Sequence, residues 1–187
     1  MAAVTGAKPL ARGFTAVDLV TFAVFAALYR ALWYVWHALN ALFPFNQVLN
    51  SLFFVLCGIA VVVIVRKAWS ATMFVIAAQL INLFLQGELL VAAVMFLAWG
   101  ILGDLYIYSR MRAGADPFSS KRDMVIAGSL MSLVWVITVI DISFPFMFLI
   151  ELPVATYALA SLATLVTGIV GAWIGFGLGD QIRRVLR

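Results

Sequence analysis

The sequence predicts an all-α integral membrane protein, a bundle of six transmembrane helices with both termini cytoplasmic, and three observations predict it. Hydrophobic residues make up 66% of the chain and charged residues 11%, with a mean hydropathy of +1.13, against roughly 45–50% and about 25% in soluble domains. The apolar residues fall in runs near the roughly 20 residues that a helix needs to cross a bilayer. A chain of 187 residues holds about six such runs and almost nothing of a soluble domain. Third, lysine and arginine occupy every second interval between runs, the asymmetry by which multi-pass proteins set their orientation.

The elements follow in order. A short polar lead, MAAVTGAKPLARG, precedes a first helix at about residues 14–39, long enough to tilt in the membrane. It exceeds the roughly 7–15 apolar residues of a signal peptide, so no cleavable leader is expected, and no lipidation signal is expected at the other end. The uncharged stretch ALFPFNQ, with Pro44, interrupts the pattern. A second helix at about 48–65 stops at Arg66 and Lys67, and a third at about 69–85 follows almost at once. Gln86, Gly87 and Glu88 connect it tightly to a fourth helix at about 89–108. The polar interval from Ser109 to Asp123 reads as a surface loop. A fifth helix covers about 124–140. The stretch from Asp141 to Pro153 is too short and too interrupted by proline to span, and reads as a loop capping the outer face. The sixth helix, about 154–178, precedes a basic tail. The whole chain, 1–187, is thus expected to form a single transmembrane domain.

Lys8 and Arg12, then Arg66 and Lys67, then Arg110, Arg112, Lys121 and Arg122, then Arg183, Arg184 and Arg187 mark alternate connections, and the other three contain neither lysine nor arginine. This places the basic connections in the cytoplasm. It also accounts for the net charge of +4 through orientation, so nucleic acid is not an expected partner and the lipid bilayer is. The outer connections then carry Asn46, Gln47, Glu88, Asp141 and Glu151, close to Trp33, Trp36, His37 and Asn40 at the end of the first helix.

Several chemistries are excluded by what the sequence lacks. There is no GxxxxGK[ST] phosphate loop, so ATP is not held by this chain in the usual backbone cradle. Gly175, Gly177 and Gly179 resemble a dinucleotide fingerprint, but they end a membrane helix instead of following a strand, and helix packing explains them. No HExxH or GxSxG occurs, and His37 is the only histidine, which argues against a metal hydrolase, a histidine triad and a cobalt or nickel carrier. No metal or other cofactor is expected. Cys57, the only cysteine, reads as packing.

The first helix changes character along its length. Ala23, Ala27 and Ala31 recur every fourth residue and form a flat strip that another helix backbone can approach closely. The far half carries rings and polar groups. Such a strip serves either packing inside the bundle or docking of a partner.

With its six helices, both termini inside and an AxxxA motif on the first helix, the chain resembles the substrate-binding S components of energy-coupling factor (ECF) vitamin transporters. Within them it is most similar to the YkoE-like group linked to thiamine and its hydroxymethylpyrimidine precursor. The likeness lies in AVFAALYRALW (Ala23 to Trp33), IVRKAWSATM (Ile64 to Met73) and GILGD (Gly100 to Asp104). Ala68 and Trp69 stand where that group has a proline and a glycine, and Asp104 where it has a glutamate. The resemblance implies a vitamin-capture subunit of an ABC-type importer in a prokaryotic plasma membrane, without enzyme activity of its own. It also implies docking through Ala23, Ala27 and Ala31 on a transmembrane T subunit that works with two ATPase subunits.

The residues can be weighed against that substrate class. Planar aromatic amines call for stacking rings, at roughly 0.5–2 kcal/mol each where a cation is involved, and Trp33, Trp36 and Trp135 supply rings. Glu88 is the expected carboxylate, with Glu151 and Asp141 behind it, and His37, Asn40 and Asn82 are further expected contacts. Each has a plainer reading: tryptophans in an interfacial belt, Glu88 as a helix cap, Asp141 and Glu151 as solvated loop charges. Asn50, Gln79 and Asn82 need partners in hydrocarbon, from neighbouring helices or from ligand. Arg30, mid-helix, is the basic residue outside the cytoplasmic tracts, and its partner is Asp104, Asp18, a substrate carboxylate or water. A pairing with Asp104 is expected from depth. If Arg30 faces the site instead, an anionic vitamin such as biotin or pantothenate becomes the better substrate. A rival from another class is a membrane-embedded enzyme or scaffold using Arg30, Asp104 and Glu88, and a stand-alone carrier lacks an evident inverted repeat.

Overall fold

The computed structural model of the chain describes residues 13–39, 46–86, 90–139 and 153–185. Among them are six α-helices: α1 (Ala16–Leu39), α2 (Asn46–Val65), α3 (Ser70–Gln86), α4 (Leu90–Arg112), α5 (Lys121–Trp135) and α6 (Val154–Val185). A single 3-10 turn, Pro117–Ser119, precedes α5. No strand occurs among the described residues. Four spans, Ala16–Ala38, Val48–Val65, Lys121–Val139 and Val154–Val185, are long and apolar enough to cross a membrane, and the apolar helix over Ser70–Leu85 is shorter.

The bundle is built around α2. Phe54, Val55, Cys57, Ile59, Ala60, Val61, Val62 and Val63 are fully buried, and α1, α3, α5 and α6 all pack on this helix. A span buried on every side needs no polar face, which is why its sequence is apolar all round. α1 presents Phe22, Phe25, Ala26, Tyr29 and Arg30 inward, the three-and-four spacing of one helix face. α4 completes the bundle against α3 and α5.

α6 meets α2 almost backbone to backbone. A Cβ added at Gly175 would lie 2.4 Å from the carbonyl oxygen of Leu56, and Gly171 and Gly179 continue the same seam, while one at Gly168 would meet the Ser132 side chain of α5. Only glycine permits such an approach, and close packing is the main source of helix association where lipid is as apolar as the side chains. Hydroxyls add to it: those of Ser51 and Ser132 are 2.9 Å apart, and Ser132 donates to the Thr164 carbonyl.

At one end, here the basic end, ion pairs tie the intervals together. Lys67 pairs with Asp18, Arg66 with Asp116 and Arg110 with Asp123, while Tyr106 donates to Asp123 at 2.7 Å. Burial works against the Asp116 carboxylate, but the Ser119 hydroxyl and the Arg66 guanidinium outweigh it and hold its carboxyl below the usual range. These contacts explain why helices continue past the expected ends. α4 runs to Arg112 instead of about 108, and α5 starts at Lys121, where Ser120 caps it by accepting from the Asp123 amide. α6 continues to Val185 instead of about 178, with Asp180 bonded to Arg183 and Arg184 one turn on.

The turn from α2 to α3 has two residues in the left-handed region, Arg66 at φ 54° and Trp69 at φ 68°. Such a backbone costs a non-glycine residue roughly 1–2 kcal/mol. Trp69 occupies the place where a glycine is expected, and its ring lies 6.4 Å from that of Tyr108.

Candidate functional site

Away from the basic end, the inward faces of α1 to α5 change from aliphatic to aromatic and polar. Phe54 of α2 is at the centre: its ring lies 5.5 Å from Tyr29, 5.6 Å from Phe74, 5.0 Å from Trp99 and 5.1 Å from Trp135. Trp99 and Trp135 stack at 4.2 Å, and Phe96 covers Trp99 at 4.3 Å. Trp99 donates its indole N–H to Thr138 at 2.6 Å. Thr138 lies in a short π-helical stretch, residues 136–139, that follows α5, and such local widening re-aims side chains at functional sites. Trp135, 3% exposed, has no partner for its Nε1 among the described residues.

Arg30 approaches this cluster from α1. Its Nε donates to the Ala78 carbonyl at 3.1 Å and its Nη2 to Gln79 Oε1 at 3.2 Å. Its guanidinium carbon stands 5.2 Å from the Tyr29 ring and 5.8 Å from that of Trp33. Phe74, Ala78 and Asn82 follow one another four apart on α3 and share a face. Asn82 is buried, and its Oδ1 has no hydrogen-bond partner among the described residues. Asn50, one turn before Phe54 on α2, is also buried.

The expected pair of Arg30 with Asp104 is not formed. Asp104 accepts from the amides of Ala71 (3.3 Å) and Thr72 (2.7 Å) and from the Thr72 hydroxyl (2.7 Å). It therefore closes the first turn of α3, where unbonded amides and the helix dipole favour an anion. Gly100 of the same GILGD motif lets α4 reach that turn, since a Cβ there would meet the Thr72 backbone at 2.6 Å. Asp18 is likewise engaged, by Lys67. Among the described residues Arg30 thus has only neutral acceptors. A guanidinium 6% exposed in that setting carries a cost of about 2.5–3.5 kcal/mol on insertion scales.

The other predicted residues divide into three groups. Trp33 stacks on His37 with centroids 3.8 Å apart, and both, with Trp36, are half-buried at the far end of α1. Trp135 and Asn82 are buried on the faces just described. Asn40, Glu88, Asp141 and Glu151 lie outside the described residues. Ala23, Ala27 and Ala31 are all exposed, on the face of α1 opposite Phe22, Phe25 and Tyr29, with no other described helix upon them.

The sequence reading missed Phe54, Trp99 and Thr138. A signal was there for Trp99: it stands some ten residues into α4, too far from either end for an interfacial belt. Nothing comparable marks Phe54, one phenylalanine among 15. Chemically the assembly offers ring faces, an amide, an indole donor and a buried cation. Among the described residues no three His, Cys, Asp or Glu side chains are grouped to hold a metal ion, and both Asp104 oxygens are occupied.

No family model and no curated protein matches the chain. Among solved structures it is similar to a crystal structure described as an S component of an ECF transporter, with a TM-score of 0.70 and 18% identity over 93% of this chain and 86% of that one. The chain therefore has the fold of an ECF-transporter S component.

Proposed function

We propose that the protein is the substrate-binding membrane subunit of an ECF-type ABC importer, which captures a vitamin or vitamin precursor and delivers it by docking on a T subunit. The observation that carries this reading is the division of labour on α1, on a fold shared with an S component. Its inward face brings Tyr29 against the Phe54 ring and Arg30 against Ala78 and Gln79, and its outward face presents three exposed alanines that no other described helix covers. In this reading all six helices span a prokaryotic plasma membrane, the basic end is cytoplasmic, substrate enters at the opposite end, and separate ATPase subunits supply the energy. Thiamine and its hydroxymethylpyrimidine precursor are the substrates to which the sequence resemblance points.

The test is thermal stabilisation of the purified protein by a panel of vitamins and precursors. A ligand at 100 times its dissociation constant adds about 2.7 kcal/mol, a shift of several degrees. Stabilisation by one vitamin at micromolar concentration or below is expected, and absence of any shift across the panel refutes the capture reading.

A further inference from the structure

We propose that the captured molecule carries a carboxylate, held by Arg30, beside a polar group that meets Asn82. The inference rests on the capture reading and names its substrate class.

A guanidinium has five N–H donors. Two of those on Arg30 reach Ala78 O and Gln79 Oε1, and three have no acceptor among the described residues. Both acceptors are neutral, and every other interaction of the group is with a ring face. Buried charges are ordinarily paired, and arginine's planar fork matches a carboxylate with two parallel bonds. The described acidic residues are committed elsewhere: Asp18 to Lys67, Asp104 to the first turn of α3, Asp116 to Arg66, Asp123 to Arg110 and Asp180 to Arg183 and Arg184.

One further orphan accompanies the cation. Asn82 Oδ1 is buried without a partner among the described residues, although buried polar atoms are nearly always satisfied. Asn82 is one turn beyond Ala78 on α3, the helix that holds both acceptors of Arg30. An N–H of the ligand would satisfy it. A fixed cation such as that of thiamine meets the wrong charge here.

The experiment measures dissociation constants of the full-length protein in detergent for three carboxylate vitamins, biotin, pantothenate and nicotinate, each beside its uncharged counterpart, biotinamide, pantothenol and nicotinamide. Thiamine and hydroxymethylpyrimidine are included. The expected result is binding of one acid, with its uncharged counterpart weaker by about 30-fold or more, the low end of what losing one partner of a buried charge pair costs. This comparison alters the ligand alone, so it stands even if variants fold poorly. Arg30→Gln is expected to abolish the preference for acid over amide, and Arg30→Lys to keep part of it. Equal binding of acid and amide, or binding of thiamine or hydroxymethylpyrimidine with no acid bound, overturns the carboxylate assignment and leaves the capture reading standing. Binding of none overturns both.

Discussion

Two strips of small residues run along this molecule and serve opposite ends. On α6, Gly171, Gly175 and Gly179 face the backbone of α2 so closely that a methyl group would not fit. On α1, Ala23, Ala27 and Ala31 have the same spacing and are exposed, with no other described helix upon them. One strip is a closed seam and the other an open one. A small residue every fourth position therefore states that something comes close, and leaves open whether that something belongs to the same chain.

The comparison can be broken from either side. The largest effect is expected for Gly175→Leu, which drives a side chain into the Leu56 carbonyl. Overpacking costs about 1–3 kcal/mol where side chains can yield, and here backbone must move, so little folded monomer should survive size-exclusion chromatography in detergent. The matching change on the open strip, Ala27→Trp, should leave melting temperature within the scatter of surface substitutions, about 0.5 kcal/mol, and leave ligand binding unaltered. In cells supplying the partner subunits, uptake should be abolished. Equal loss of ligand binding would make the strip part of the protein's own packing.

Smaller changes sharpen the contrast. Gly177 lies on α6 but off the seam, with nothing within 4 Å of an added Cβ. Gly177→Ala should therefore raise the melting temperature slightly, by up to about 1 kcal/mol of helix propensity, whereas Gly179→Ala, two residues on, should lower it. The least effect belongs to the tie between Arg66 and Asp116, which touches neither strip. The Asp116 carboxyl titrates below its ordinary value when folded, so its contribution is complete above the unfolded value of about 3.9 and disappears as pH falls through the lower folded value. A half-exposed pair is worth about 0–1 kcal/mol. The difference in melting temperature between wild type and Asp116→Asn should be flat from pH 7 to 5 and close only below about pH 4.

The legibility of the sequence follows the same division. Helices and basic intervals were readable because hydropathy and charge are properties of single segments. Rotation was not readable: the alanine strip alone left packing and docking open, and it is the burial of Phe22, Phe25 and Tyr29 that turns it outward. What remained hidden were partnerships across the bundle. Asp104 was expected to meet Arg30, and it meets backbone amides of α3 instead, groups that every residue but proline possesses and that no sequence pattern advertises. Arg30 was visibly anomalous, yet its bond to the Ala78 carbonyl is equally silent in the sequence. Trp99 was overlooked because α4 was read for its ends and its GILGD motif. Trp69 holds a left-handed backbone that glycine adopts at no steric cost, which its residue type does not foretell.

The glycine seam has a mechanical consequence. At 1.5 Å per residue, the 32 residues of α6 measure about 48 Å, well beyond a hydrocarbon layer of about 30 Å. The charged last turn accounts for only part of the excess, and leaning is one way in which a helix accommodates the rest. Because α6 is locked to α2 along its backbone, it cannot lean alone. Any inclination that α6 takes in response to the thickness of the surrounding lipid is therefore shared by α2 and the helices packed on it.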